Sequence, residues 1–194
     1  AACLCIVGSH AAYAHPVLFR RIEEARKKNP GMKVIVADPR RTDTAELADL
    51  YLPLQPGTDV MLFHGLLHIM LWEGWVNADY IAAHTNGFDE LKALVRECTP
   101  DLVAQTCGLP KDDLFTAAKW FAGLDGQGFA HRKPTLSLYC QGLNQSSSGT
   151  AKNAALINLH LATGQIGKVG AGPFSLTGQP NAMGGREVGG LANL

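Results

Sequence analysis

The stretch CLCIVGSHAAYAHPVLFRRIEEARKKNPGMKVIVADPRRTDTAELADLYLPLQPGTD, Cys3 to Asp59, decides the fold. Cys3–Val7 is a short apolar run ending at Gly8-Ser9, and Lys33–Ala37 (KVIVA) is a second one ending at Asp38-Pro39. Both are brief and rich in branched side chains, the pattern of buried parallel strands. Between them Pro16 suits the first turn of a helix, Leu18, Ile22 and Ala25 recur at helical spacing, and Asn29-Pro30-Gly31 stops it. Strand, helix, strand predicts a right-handed βαβ unit, whose ligands sit at the carboxyl ends of the strands. Those ends are Gly8-Ser9-His10 and Asp38-Pro39-Arg40-Arg41. A third strand is predicted over Leu50–Leu54, running through Pro56-Gly57-Thr58-Asp59 into a new helix. Three such polar turns side by side make a crevice of nucleotide size.

Downstream the pattern turns helical. Thr58 or Asp59 is expected to cap a helix over Val60–Glu73, with Leu62, Leu66, Ile69 and Met70 as its buried stripe and Gly74 as its end. Further helices are predicted after Asn77, around Phe88, Leu91 and Val95, after Thr99-Pro100, and from Lys111 through Phe121. Gly123–Pro134 reads as a loop. Thr135–Tyr139 is then a strand, Cys140–Gly149 a polar turn and Thr150–Ala162 a helix, which repeats the opening grammar. From Gly164 onward, polar side chains among glycines predict backbone wrapped closely round a ligand. The expected organisation is a first α/β segment over residues 1–122, a loop over 123–134, and a strand-turn-helix with a glycine-rich loop of the same domain over 135–194. The fold class is α/β, a doubly wound, mostly parallel sheet with helices on both faces. Both ends read as internal to a longer polypeptide.

Composition narrows the function classes. In 194 residues, 46% apolar and 18% charged, the formal net charge is zero, so neither nucleic acid nor an anionic membrane surface is an expected partner. Five cysteines without a CxxC pair suit a reducing, cytoplasmic compartment and offer no metal-cluster spacing; Cys3 and Cys5 are expected on opposite faces of their strand. No segment has the roughly 18–20 uninterrupted apolar residues of a membrane span, and no signal peptide is read.

Each motif has a plainer alternative. Gly8-Ser9 and Gly57-Thr58-Asp59 open helices, where free N–H groups and the dipole favour phosphate, or they are ordinary turns. Asp38 is placed to bond ribose hydroxyls, or is a surface turn residue. Arg40 and Arg41 can fork onto a pyrophosphate, or remain on the surface. His64 and His68 have metal-compatible spacing but no third ligand nearby and an apolar setting. Ser146-Ser147-Ser148 lacks a hydrolase elbow and reads as hydrogen-bonding residues opening a helix. Arg186, alone in the glycine-rich tail, would attract a small anion, or pairs with an acid such as Glu187.

The strings DPRRTDTAELADLYLPLQPGTDV, LYCQGLNQSSSGTAKNAALINLHLATGQIGK and GPFSLTGQPNAMGGREVGG together resemble the molybdopterin oxidoreductase family, most closely its assimilatory nitrate reductases. The resemblance covers nearly the whole chain. It implies part of a larger multidomain enzyme with molybdenum bound by two molybdopterin guanine dinucleotides and a [4Fe–4S] cluster outside this segment. By matching position it assigns Gly8, Ser9 and His10, then Asp38, Pro39, Arg40 and Arg41, then Gly57, Thr58 and Asp59 to one guanine dinucleotide, with Asp59 reading the guanine edge. Gln141, Gly142, Asn144 and Gln145 match the turn that approaches the pterin, and Arg186 matches an arginine of the substrate funnel. At Gln141 the sequence departs from related periplasmic enzymes, which often carry Met. None of the five cysteines matches a metal ligand of the family.

The activity implied is reduction of nitrate to nitrite by oxygen-atom transfer, with an electron-donor protein or domain and the remaining domains of the parent chain as partners. This segment alone is expected to be inactive. A formate dehydrogenase-type member of the same family and a non-enzymatic α/β nucleotide-binding module are the alternatives.

Overall fold

The computed structural model describes residues 1–124, 132–178, 184 and 187–189. In chain order these hold β1 (Cys3–Val7), α1 (Ala11–Ala14), α2 (Pro16–Lys28), β2 (Lys33–Ala37), a 3-10 turn (Asp43–Leu47), β3 (Leu50–Leu52), α3 (Asp59–Trp72), α4 (Ala78–His84), α5 (Phe88–Val95), α6 (Pro100–Cys107), α7 (Lys111–Phe121), β4 (Thr135–Tyr139), α8 (Gln141–Asn144), α9 (Gly149–Ala162) and β5 (Gly172–Ser175). The strands form one parallel sheet in the order β3-β2-β1-β4-β5. Strand order therefore reverses between β1 and β4, the switch point at which crevices of doubly wound sheets open. Register aligns the carboxyl ends: Val7 lies opposite Ala37 and Tyr139, Ala37 opposite Leu52, and Tyr139 opposite Ser175.

Helices cover both faces because right-handed crossovers that run in opposite directions from the switch point land on opposite sides. Leu4, Ile6, Val34, Val36 and Leu138 pack on one side with Ile22 of α2. Cys3, Cys5, Val7, Ile35, Ala37 and Tyr139 pack on the other with α3, α6, α7 and α9. Cys3 and Cys5 thus share a face, correcting the expectation that they diverge, since residues two apart on a strand point the same way. All five cysteines are buried and free. Burial pushes the Cys5 thiol up to about 12 and Cys3 higher still, so both are inert core residues.

Three boundaries differ from the sequence reading. β3 stops at Leu52 and not Leu54, because Pro53 has no N–H to continue the ladder. A short helix, α1, precedes α2 and breaks at His15 before Pro16. The glycine-rich tail contains β5 at the sheet edge. Among the helix caps, Asn77 accepts from the Tyr80 N–H at 3.0 Å and Thr99 from the Leu102 N–H at 3.4 Å. Ser148 precedes α9 but makes no side-chain cap, so the serine run does not open that helix by hydrogen bonding as expected.

His64 is half-buried. The neighbouring His68 ring nitrogen lies 2.9 Å from the Val95 carbonyl, and its ring stacks on Trp72 at 4.2 Å. Its contacts are those of a packed core histidine.

Candidate dinucleotide site

At the carboxyl edge of the sheet, the turns after β1, β2, β3 and β4 converge on a cleft of about 350 Å³ lined by Gly8, His10, Asp38, Pro39, Arg40, Pro56, Gly57, Asp59, Gly142 and Lys152. Larger concavities exist elsewhere, one of about 600 Å³ between α4 and α5 and one of about 730 Å³ beside Asn77 and Lys168. Neither gathers strand ends, so convergence locates the site better than volume does.

Its floor is glycine by necessity. Gly8 has φ of +52°, and a Cβ there would lie 2.9 Å from the Gly142 Cα; a Cβ on Gly142 would lie 2.6 Å from the Gly8 Cα. The Gly142 N–H donates to the Gly8 carbonyl at 3.0 Å, so the loops of β1 and β4 cross in direct backbone contact. Ser9, 4% exposed, has a buried Oγ with no partner among the described residues, and the buried His10 Nε2 is likewise unpaired. The His10 ring stacks on Tyr13 at 5.6 Å.

The β2 turn is shaped by Asp38, whose Oδ1 accepts from the Arg40 N–H at 2.9 Å and whose carbonyl accepts from the Tyr51 hydroxyl at 3.0 Å. Burial, reinforced by Asp38, raises the Tyr51 phenol above its ordinary pKa. Arg40 faces the cleft. Arg41 does not: its Nε meets Glu46 at 3.4 Å and its guanidinium lies 5.4 Å from the Tyr51 ring centre.

The β3 turn delivers Asp59 as the first residue of α3. It does not cap that helix, nor does the Thr58 side chain, which donates to the Gln55 carbonyl at 2.7 Å. Asp59 Oδ2 instead meets Lys152 Nζ at 2.6 Å, with both side chains about nine-tenths buried. Lys152 lies in the first turn of α9, and α3 and α9 pack side by side with their N-termini at the cleft. Arg40 and two helix N-termini favour an anion at this edge, while the charge of Lys152 is matched by Asp59.

A second group of predicted residues lies over β4 and β5. Asn144 Nδ2 donates to Ser175 Oγ at 3.0 Å and accepts at Oδ1 from Asn153 at 2.9 Å. The Gln141 side chain packs against Gly178, where any Cβ would collide with it. Gln145 is exposed beside them. Of the predicted residues, Gly8, His10, Asp38, Pro39, Arg40, Gly57, Asp59 and Gly142 line the cleft; Ser9, Arg41, Thr58, Gln141, Asn144 and Gln145 flank it. Arg186 lies outside the described residues. Pro56, read from sequence as part of the third polar turn, also lines the cleft, and so does Lys152, which was not singled out from sequence. Lys152 carried one signal: a lysine in a helix's first turn opposes the dipole.

The chain is similar to known proteins along nearly its whole length. The family model described as molybdopterin oxidoreductase matches residues 1–193. The chain is 46% identical over 192 residues to a nitrate reductase of Synechocystis, covering 99% of this chain and 26% of that protein. It is 40% identical over 204 residues to a periplasmic nitrate reductase of Desulfovibrio desulfuricans, covering 100% and 26%. To an F420-dependent formate dehydrogenase alpha subunit of Methanocaldococcus jannaschii it is 37% identical, covering 99% and 27%. Among solved structures, acetylene hydratase from Pelobacter acetylenicus matches with a TM-score of 0.75 and 29% identity, over 87% of this chain and 22% of that one. The chain spans about a quarter of the length of these relatives. With the family model matching residues 1–193 of a chain whose sheet opens a crevice at its switch point, the chain belongs to the molybdopterin oxidoreductase family.

Proposed function

We propose that this chain is the dinucleotide-binding part of the catalytic subunit of a molybdenum nitrate reductase serving nitrate assimilation in the cytoplasm. The observation that carries the proposal is the 46% identity to a nitrate reductase across 99% of the chain. The cofactor is molybdenum with two molybdopterin guanine dinucleotides; the [4Fe–4S] cluster and the electron-donor contacts belong to other parts of the parent enzyme. Residues 1–122 and 135–194 act as one domain; most of the segment read as a loop over 123–134 lies outside the described residues.

The residues present fit a phosphate-bearing dinucleotide. The crossing of Gly8 and Gly142 leaves backbone bare where side chains would fill the cradle, and the buried, unpaired Ser9 Oγ supplies a donor beside it. Arg40 and the backbone at the Gly8–Gly142 crossing hold the pyrophosphate. Asp38 bonds the ribose hydroxyls, and Asp59 accepts from the guanine edge. Gln141, Asn144 and Gln145 approach the pterin side. Arg186 orients nitrate and stabilises its shifting charge with a planar fork. The bound metal cofactor supplies the oxygen-atom transfer chemistry; this chain supplies binding, orientation and local charge.

The 37% identity to a formate dehydrogenase subunit supports formate oxidation as the second reading. The test is to assay the purified parent enzyme with reduced viologen and nitrate, and separately with oxidised viologen and formate. Nitrite formation without formate oxidation is expected. Formate oxidation without nitrite overturns the nitrate assignment.

A further inference from the structure

The pair Asp59–Lys152 is more than a structural salt bridge. Lys152 is 6% exposed and stands in the first turn of α9, so both burial and the helix dipole act against its charge. A residue held against two local preferences marks a site where something else is being selected. Only one of its three ammonium donors is needed for Asp59 Oδ2, and Lys152 also lines the cleft. Asp59 has spare capacity too, because a carboxylate offers about four lone-pair sites.

We propose that Lys152 is a specificity-determining residue that reads the O6 atom of guanine. This rests on the guanine dinucleotide reading above. Across one edge guanine offers an acceptor (O6) and two donors (N1–H and the 2-amino group). Lys152 beside Asp59 offers the complement: one donor, then two acceptor oxygens. Adenine presents an amino donor in place of O6 and an acceptor at N1, so it meets an ammonium with a donor and a carboxylate with a lone pair. Cytosine also sets an amino donor next to a ring acceptor and fails in the same way. The ammonium therefore selects the base as well as holding Asp59 in place, and the two roles come from elements on opposite sides of the switch point, α3 after β3 and α9 after β4.

The test uses the full parent chain, prepared free of cofactor and titrated with GMP and with 6-thio-GMP, whose sulfur is a weaker acceptor at the same position. Wild type is expected to prefer GMP. Lys152→Met is expected to bind GMP about tenfold or more weakly and to lose the preference over 6-thio-GMP, the scale of one hydrogen bond to a charged group. Lys152→Gln, which keeps a neutral N–H donor, is expected to restore part of the preference, and it carries the test if Lys152→Met does not fold. Unchanged GMP affinity in Lys152→Met overturns the proposal. Weakened affinity with the GMP preference intact also overturns it, leaving Lys152 as a counter-ion only. Failure of the underlying reading looks different: the wild-type holoenzyme would then release no guanine nucleotide on acid hydrolysis.

Discussion

Gly8 and Gly142, from the loops after two neighbouring strands, touch backbone to backbone, with the Gly142 N–H on the Gly8 carbonyl at 3.0 Å. Neither can take a methyl group without pushing the loops apart, since a Cβ on Gly8 falls 2.9 Å from the Gly142 Cα and one on Gly142 falls 2.6 Å from the Gly8 Cα. Gly142→Ala is expected to cost about 1–3 kcal/mol, the usual scale of overpacking. Gly8→Ala should cost more, because its φ of +52° adds backbone strain. Thermal unfolding of the parent enzyme, with its molybdenum content measured alongside, checks both. Wild-type stability and cofactor content in Gly142→Ala would show that the crossing is loose.

Asp59→Asn removes the charge that faces Lys152. Its guanine dinucleotide retention should fall by roughly 1.5–3 kcal/mol, and stability should fall by about 3 kcal/mol because a buried ammonium loses its counter-charge. Replacing both, as Asp59→Asn with Lys152→Met, should recover much of the stability and none of the retention. A helix-capping Asp would tolerate Asn without loss on either measure, and that outcome is the one that removes Asp59 from base recognition.

Arg186→Ala in the parent enzyme should lower nitrate turnover while molybdenum content stays near wild type, since the residue is assigned to substrate. Arg186→Lys should regain only part of the rate, because a point charge does not reproduce a planar fork. Parallel loss of molybdenum and rate would make Arg186 structural.

His160 gives the chain an acid-sensitive core. Burial lowers its pKa to about 3, its Nε2 lies 2.7 Å from Ser137 Oγ, and Phe121 packs on its ring at 4.8 Å. The folded form therefore stays neutral where the unfolded form, near the ordinary value of 6.5, takes up a proton. Its stability contribution is intact above pH 6.5 and erodes as pH falls toward 3, by up to roughly 1.4 kcal/mol per unit. Burial lowers His64 as well, which adds in the same direction. Urea midpoints from pH 7.5 to 5 should decline in wild type and decline less in His160→Leu; equal slopes would place the acid sensitivity elsewhere.

The isolated chain should make no nitrite with a viologen donor. It spans about a quarter of its relatives, so most of the parent enzyme lies outside it. Sustained nitrite production by the purified chain would refute this.

The sheet was legible where the signal was local. β1, β2 and β4 are unbroken apolar runs ending in polar turns, and the parallel βαβ grammar then placed those turns on one edge. β5 escaped because its four residues, Gly172 to Ser175, bury only the first, so no apolar run announces an edge strand. Arg41 and Arg40 were equivalent as letters; the Tyr51 ring and Glu46 turn one of them away. Lys152 was hidden for a different reason: its partner precedes it by more than ninety residues, and no periodicity links the two.

The order of the strands also dictates when the cleft can exist. β1 sits at the centre of the sheet but pairs on one side with β4, so joining Val7 to Tyr139 closes a loop of about 130 residues. Such long-range closure is slow and comes late, after the local βαβ unit has formed. During synthesis the β1 turn would therefore wait, half-built, until the chain beyond residue 140 emerges, and the crossing of Gly8 with Gly142 would be among the last contacts made. A bulky cofactor would find this part of its cradle only once β4 has joined the sheet, which ties loading to closure of the sheet and not to the first βαβ unit.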